Sequence, residues 1–87
     1  MQNAEHSKPY NGSALEYWEK KFGRIERYRC PHCDKVFKRQ DLDGGHVVLC
    51  CHQDGQQWIT PICKSFNESN DSNTIFWVDR RYLIPAP

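Results

Sequence analysis

Five cysteines and four histidines in 87 residues are the side chains best suited to chemistry. Two of the cysteines stand in Cys30-Pro31-His32-Cys33, a spacing that puts both sulfurs in one tight turn. Pro31 fixes one backbone angle there, and Phe37, four residues after the second cysteine, supplies an apolar anchor. Such a knuckle aims backbone N–H groups at the sulfurs and holds them as thiolates, the form that binds a metal. A C-x-x-C pair can also be a redox couple, but the βαβ context that accompanies one is missing from the pattern. An odd number of cysteines makes a poor disulfide framework and a reasonable metal site with spare thiols. Structural Zn2+ on Cys30 and Cys33 is therefore expected.

Two further ligands must be delivered by other elements. His46-Val47-Val48-Leu49-Cys50-Cys51 reads as a strand, Asp54-Gly55 as the centre of a two-residue hairpin turn, and Gln57 to Pro61 as the returning strand. In that hairpin Gln53 faces Gln56, so cross-strand partners have numbers summing to 109 and His46 falls opposite Cys63. Opposite residues have Cβ atoms about 4.5 to 5.5 Å apart, close enough to share a tetrahedral ion. Cys63 also begins a helical pattern through Glu68, and a helix N-terminus favours a thiolate. The expected ligand set is Cys30, Cys33, His46 and Cys63, with Cys50 in place of His46 as the alternative. Cys51, His52 and His32 compete less well: His32 is expected to face solvent, and strand cysteines usually behave as small buried hydrophobes.

The remaining chain must hold these parts together. Residues 1–12 are polar, carry Pro9 and Gly12, and read as a flexible lead-in; residues 13–85 read as a single zinc-binding domain. Ser13-Ala14-Leu15-Glu16 is a capping-box signature, Leu15, Trp18 and Phe22 make one apolar face, and Gly23 is placed to end the helix. Gly44-Gly45 reads as a hinge closing a polar loop, Thr74 to Val78 as a third strand and Arg80 to Pro85 as an extended tail. Trp58, Phe76 and Trp77 are expected in the core with Trp18. The fold class is thus α+β: an N-terminal helix, a zinc knuckle, a β-hairpin, a short helix and a C-terminal strand.

Size and composition bound the function. A chain of 10.3 kDa buries only about 60% of the surface it exposes when unfolded, so a staple is expected. With 38% hydrophobic and 26% charged residues, no run approaches the roughly 20 apolar residues of a membrane span. Met1 to His6 lacks the basic start and apolar stretch of a signal peptide, so a reducing cytoplasm is the expected compartment. Net charge is +1, but the distribution is uneven: Lys20 to Arg39 is basic and interleaved with aromatics, and Gln40 to Asn73 is acidic. The basic stretch permits a phosphate-binding face. Arg24, Arg27, Arg29, Lys38 and Arg39 are the candidate nucleic-acid contacts and Tyr28 a possible stacking group.

The order of parts resembles a treble-clef zinc finger. Gly45-His46-Val47, followed by Trp58-Ile59-Thr60-Pro61-Ile62-Cys63-Lys64-Ser65-Phe66-Asn67, is similar to the ββα core of HNH-type proteins. In that family a histidine opens the hairpin and a P-L-C-x-x-C-N run opens the helix. The second helix cysteine of the family falls at Phe66, so the resemblance implies a missing zinc ligand, with His46 its natural replacement; Asn67 matches the family's asparagine. Gly45 stands where a nuclease needs an acid or a histidine, so the resemblance implies the scaffold without the activity.

The function expected from the sequence is a small monomeric module with a structural zinc that mediates interaction with nucleic acid or protein. The alternative is a metal-dependent nuclease of the HNH type that uses His46 and Asn67 around a separate divalent ion.

Overall fold

The computed structural model describes residues 2–3, 13–49, 55–69 and 76–87. In chain order the elements are strand β1 (Gln2–Asn3), helix α1 (Ala14–Phe22), strands β2 (Arg27–Arg29), β3 (Val36–Lys38), β4 (Leu42–Val48) and β5 (Gln57–Cys63), helix α2 (Lys64–Glu68) and strand β6 (Ile84–Pro85). Strands β1, β4, β5 and β6 form one antiparallel sheet in the order β1-β4-β5-β6, and β2 pairs with β3 in a second. The architecture is α+β, with the helix, knuckle, hairpin, short helix and C-terminal strand in the expected order.

Helix α1 forms where its caps place it. The Ser13 hydroxyl accepts a hydrogen bond from the Glu16 N–H at 3.1 Å. Gly23 ends the helix at φ 100°, a conformation open to glycine, and donates its N–H to the Glu19 carbonyl at 2.7 Å. Leu15 and Trp18 are buried, and the Trp18 Nε1–H donates to the Tyr82 carbonyl at 2.8 Å. This bond satisfies the indole's polar atom in the interior and ties the helix to the C-terminal segment.

The hairpin differs from the sequence expectation in register. Cross-strand partners sum to 105, not 109: Leu42 faces Cys63, His46 faces Ile59, and Val48 faces Gln57 in the last pair. The expected turn at Asp54-Gly55 falls partly on residues 50–54, which include Cys50, Cys51 and His52 and lie outside the described residues. The Gly44-Gly45 pair is inside β4, not at a hinge. A Cβ on Gly44 would collide with the backbone of Ala14 and Leu15, and one on Gly45 would collide with the Ile62 side chain. Glycine is required at Gly44 because the first turn of α1 crosses the strand there. Leu42, Gly44 and His46 thus share the face that α1 covers, and Asp43, Gly45 and Val47 the other.

Two further corrections concern the C-terminal third. Residues 76–79 form no strand, and the segment expected as a tail supplies β6, which pairs Ile84 with Ile59 and Pro85 with Trp58. Phe76 is buried as expected, but Trp77 is 93% exposed. In the segment expected as a lead-in, Gln2 and Asn3 pair with Val48 and Val47; residues 4–12 lie outside the described residues. Among the described residues no helix is long and apolar enough to cross a membrane.

Candidate metal centre

The knuckle is the turn of the β2–β3 ribbon, in which Arg29 faces Val36, Tyr28 faces Phe37 and Arg27 faces Lys38. The Asp34 N–H donates to the Cys30 carbonyl at 2.8 Å, and the Cys30 N–H donates to the Lys35 carbonyl at 2.9 Å. Asp34 takes φ 58°, a left-handed conformation that short polar side chains tolerate. Arg29 braces the turn from outside by donating to the Asp34 carbonyl at 2.9 Å. These contacts hold the chain reversal between Cys30 and Cys33.

Cys63 reaches the knuckle because β5 ends at that point and α2 begins. Its N–H donates to Cys30 Sγ at 3.3 Å, its Sγ lies 3.3 Å from Cys33 Sγ, and the Ser65 hydroxyl lies 3.7 Å from the same sulfur. The three sulfurs all lie within 4.8 Å of one another, and Cys30 and Cys63 are buried. Thiolates bound to one tetrahedral ion at about 2.3 Å stand close to 4 Å apart, so the triangle matches the edge of a metal site. All-sulfur donors suit soft or borderline ions.

Without an ion the three thiols share their protons unequally. Burial, and next the neighbouring sulfur of Cys63, pushes the Cys33 thiol up to about 12. Burial acts the same way on Cys63, but hydrogen bonding from the Phe66 N–H, Cys33, Ser65 and Cys30 outweighs it and holds this thiol below its ordinary value. Cys63 is thus the natural first thiolate, and an ion must displace the proton from Cys33.

His46 is not brought to this group. It is fully buried, but by register it lies four residues along β4 from Leu42, the partner of Cys63. Four strand residues span about 13 Å. Among the described residues the group consists of the three cysteines. His32 is exposed, in keeping with the sequence expectation, yet its ring lies flat on Phe66 with centroids 3.7 Å apart, and its Nδ1 stands 3.5 Å from Cys33 Sγ. Phe66 in turn meets Phe76 edge-on at 5.4 Å, so an aromatic stack clamps α2 onto the knuckle. Sequence reasoning missed this stack; the sign available was Phe66 at the third position after Cys63. Asn67 is buried, and its amide donates to the Asp43 carboxylate at 3.3 Å.

The candidate nucleic-acid contacts divide. Arg39 belongs to the fold: it makes a two-pronged contact with Glu19, Nε to Oε2 at 2.9 Å and Nη2 to Oε1 at 2.6 Å, and the carboxylate is only 9% exposed. Tyr28 is half-buried, edge-on to Trp18 at 5.5 Å, and so is not an open stacking platform. Arg24 pairs loosely with Glu26 at 3.6 Å, and Arg29 with Asp34 at 3.4 Å. Arg27 and Lys38 are exposed, and neither makes an ion pair among the described residues.

No known protein family matches the chain, and comparisons with characterised proteins and with solved structures find no match either.

Proposed function

We propose that Cys30, Cys33 and Cys63 hold a structural zinc in a treble-clef-like arrangement, and that the domain is a small binding module for a nucleic acid or a protein in a reducing compartment such as the cytoplasm. The observation that carries this reading is the meeting of three sulfurs from two separate elements, a knuckle and a helix N-terminus, within 4.8 Å. A chain this small gains from a bound ion what its core cannot supply. The donor set suits zinc, and a structural site takes a fourth donor. His32 is the candidate among the described residues, since it brings a nitrogen to 3.5 Å from Cys33 Sγ.

A hydrolytic role for His46 and Asn67 has less support. A catalytic ion needs an open position and access to water, whereas His46 is 0% and Asn67 4% exposed.

Native mass spectrometry with metal analysis tests the reading on the wild type and on Cys63→Ser and His32→Ala. One zinc per wild-type chain, lost with the fold in Cys63→Ser, is the expected result. Loss of zinc in His32→Ala identifies His32 as the fourth donor. A wild-type chain that folds without zinc overturns the reading.

A further inference from the structure

The outer face of the β2–β3 ribbon carries an arrangement that is unfavourable in the free protein. Tyr28 and Phe37 turn inward, while Arg27, Arg29, Val36 and Lys38 turn outward. Arg27 and Lys38 are direct cross-strand partners. Like charges in that relation destabilise a ribbon, and here neither has an ion-pair partner among the described residues. Arg24 flanks them in one shallow depression, whose lining also holds Glu26, the carboxylate that pairs with Arg24 at 3.6 Å. A polyanion laid along this face relieves the repulsion.

Beyond that face, Arg29 also forms part of the wall of a groove of about 800 Å³ that runs in towards Tyr28 and includes His32, Phe76, Trp77 and Tyr82. Trp77, at 93% exposed, is a large aromatic side chain left almost wholly in water. The charges in that groove are already paired, Arg29 with Asp34 and Asp79 with Arg81, the latter at 2.7 Å, so its lining offers stacking surface in place of net charge. Arg27 and Arg29 are two residues apart on one strand face, about 7 Å, so the cationic face and the aromatic groove adjoin.

We propose that this surface binds a single-stranded nucleic acid, with phosphates on Arg27 and Lys38, assisted by Arg24, and an unstacked base on Trp77. Cations that follow a backbone beside an exposed aromatic ring are the combination by which proteins hold single strands, and a base paired in a duplex cannot reach such a ring. The proposal rests on the reading of the domain as a folded, metal-held binding module.

The test is fluorescence anisotropy of the full-length, metal-loaded chain on a labelled 15-nucleotide oligo-dT and on a duplex of equal length, over a salt series, with metal content measured on the same samples. The single strand should bind more tightly. Arg27→Ala with Lys38→Ala should make the slope of log K against log salt shallower by about 1.4, at about 0.7 for each phosphate that the variant leaves unneutralised on a single strand. Trp77→Ala should weaken binding by about 5- to 150-fold and leave that slope unchanged. Tighter binding to the duplex, or variants that bind as the wild type does, overturns the proposal. So does displacement by poly-glutamate as effective as by oligo-dT, which assigns the face to an acidic protein. A folded, zinc-loaded chain that ignores the oligonucleotide overturns this inference alone; a chain folded without zinc overturns the metal reading instead.

Discussion

At the Leu42–Cys63 end of the β4–β5 hairpin, the knuckle and α2 meet through three sulfurs and a short aromatic stack, and the elements there are only three to five residues long. Across the sheet face covered by α1, a nine-residue helix buries Leu15 and Trp18 and is capped at both ends. The second region contains what apolar burial and backbone hydrogen bonding require. The first also buries apolar side chains around its sulfurs, Ile62, Phe66, Phe76 and Leu83, but its three-residue strands and five-residue helix are too short to be stable alone, and their positions depend on what joins the sulfurs. The contrast separates a region in which short elements need ligation as well as packing from one held by packing alone, and it predicts how each fails.

The largest effect belongs to the sulfurs. Cys63→Ser, or removal of the ion by a chelator, should unfold the domain, because apparent zinc affinities of structural sites, about 10 to 16 kcal/mol, exceed the stability of a domain this size. Far-UV circular dichroism with and without chelator reads this, and a spectrum that does not change would break the distinction between the two regions. Trp18→Ala should cost about 3 to 5 kcal/mol in thermal or urea unfolding while one metal per chain is retained, since it removes the core of the packed side and one edge contact to Tyr28 but none of the sulfurs' neighbours. His46→Ala sharpens the comparison from within the hairpin. It should cost about 2 to 3 kcal/mol as a buried truncation and leave metal content unchanged; loss of the ion on that substitution would return His46 to the metal site.

Gly44→Ala forces a methyl group into the backbone of the first α1 turn and should cost about 1 to 3 kcal/mol in urea unfolding, again with the metal retained. The smallest effect is at the pair joining α1 to the segment after β3. The Arg39 guanidinium, working against the burial of the carboxyl, holds Glu19 below its ordinary value of 4.5. A carboxyl with a depressed folded pKa adds stability that is present above pH 4.5 and is lost as pH falls through the lower folded value. Glu19→Gln should therefore lower stability by about 1 kcal/mol at pH 7 and flatten its decline on acidification, as read from urea midpoints across about pH 2 to 7. An unchanged pH profile would mean that the ion pair adds nothing to the packed side.

Much of the molecule is legible from local chemistry. Ser13 and Gly23 bound a helix because a cap hydroxyl and a positive φ act within a few residues. Cys30 and Cys33 announce a turn with two sulfurs, and Cys63 precedes a helical start with Phe66 facing inward; all three cysteines do meet. Neither the exposure of Trp77 nor the capture of Arg39 by Glu19 is legible, because each depends on segments distant in sequence.

The position of His46 shows where local chemistry stops. The expected and observed registers, with partners summing to 109 and 105, differ by an even number, so each side chain keeps its face in both. An alternation pattern discriminates strongly against a one-residue slip and not at all against a slip that preserves the face. Asp54-Gly55 favours the register summing to 109, but the fold takes the one that sets Cys63 opposite Leu42 and beside the knuckle. The sequence by itself determined which residues carry sulfur chemistry and which local turns present them. The tertiary structure alone decided which strand positions stand opposite one another, because that choice depends on β5 delivering Cys63 to the knuckle while Gly44 lies under α1, two long-range contacts that no local pattern encodes.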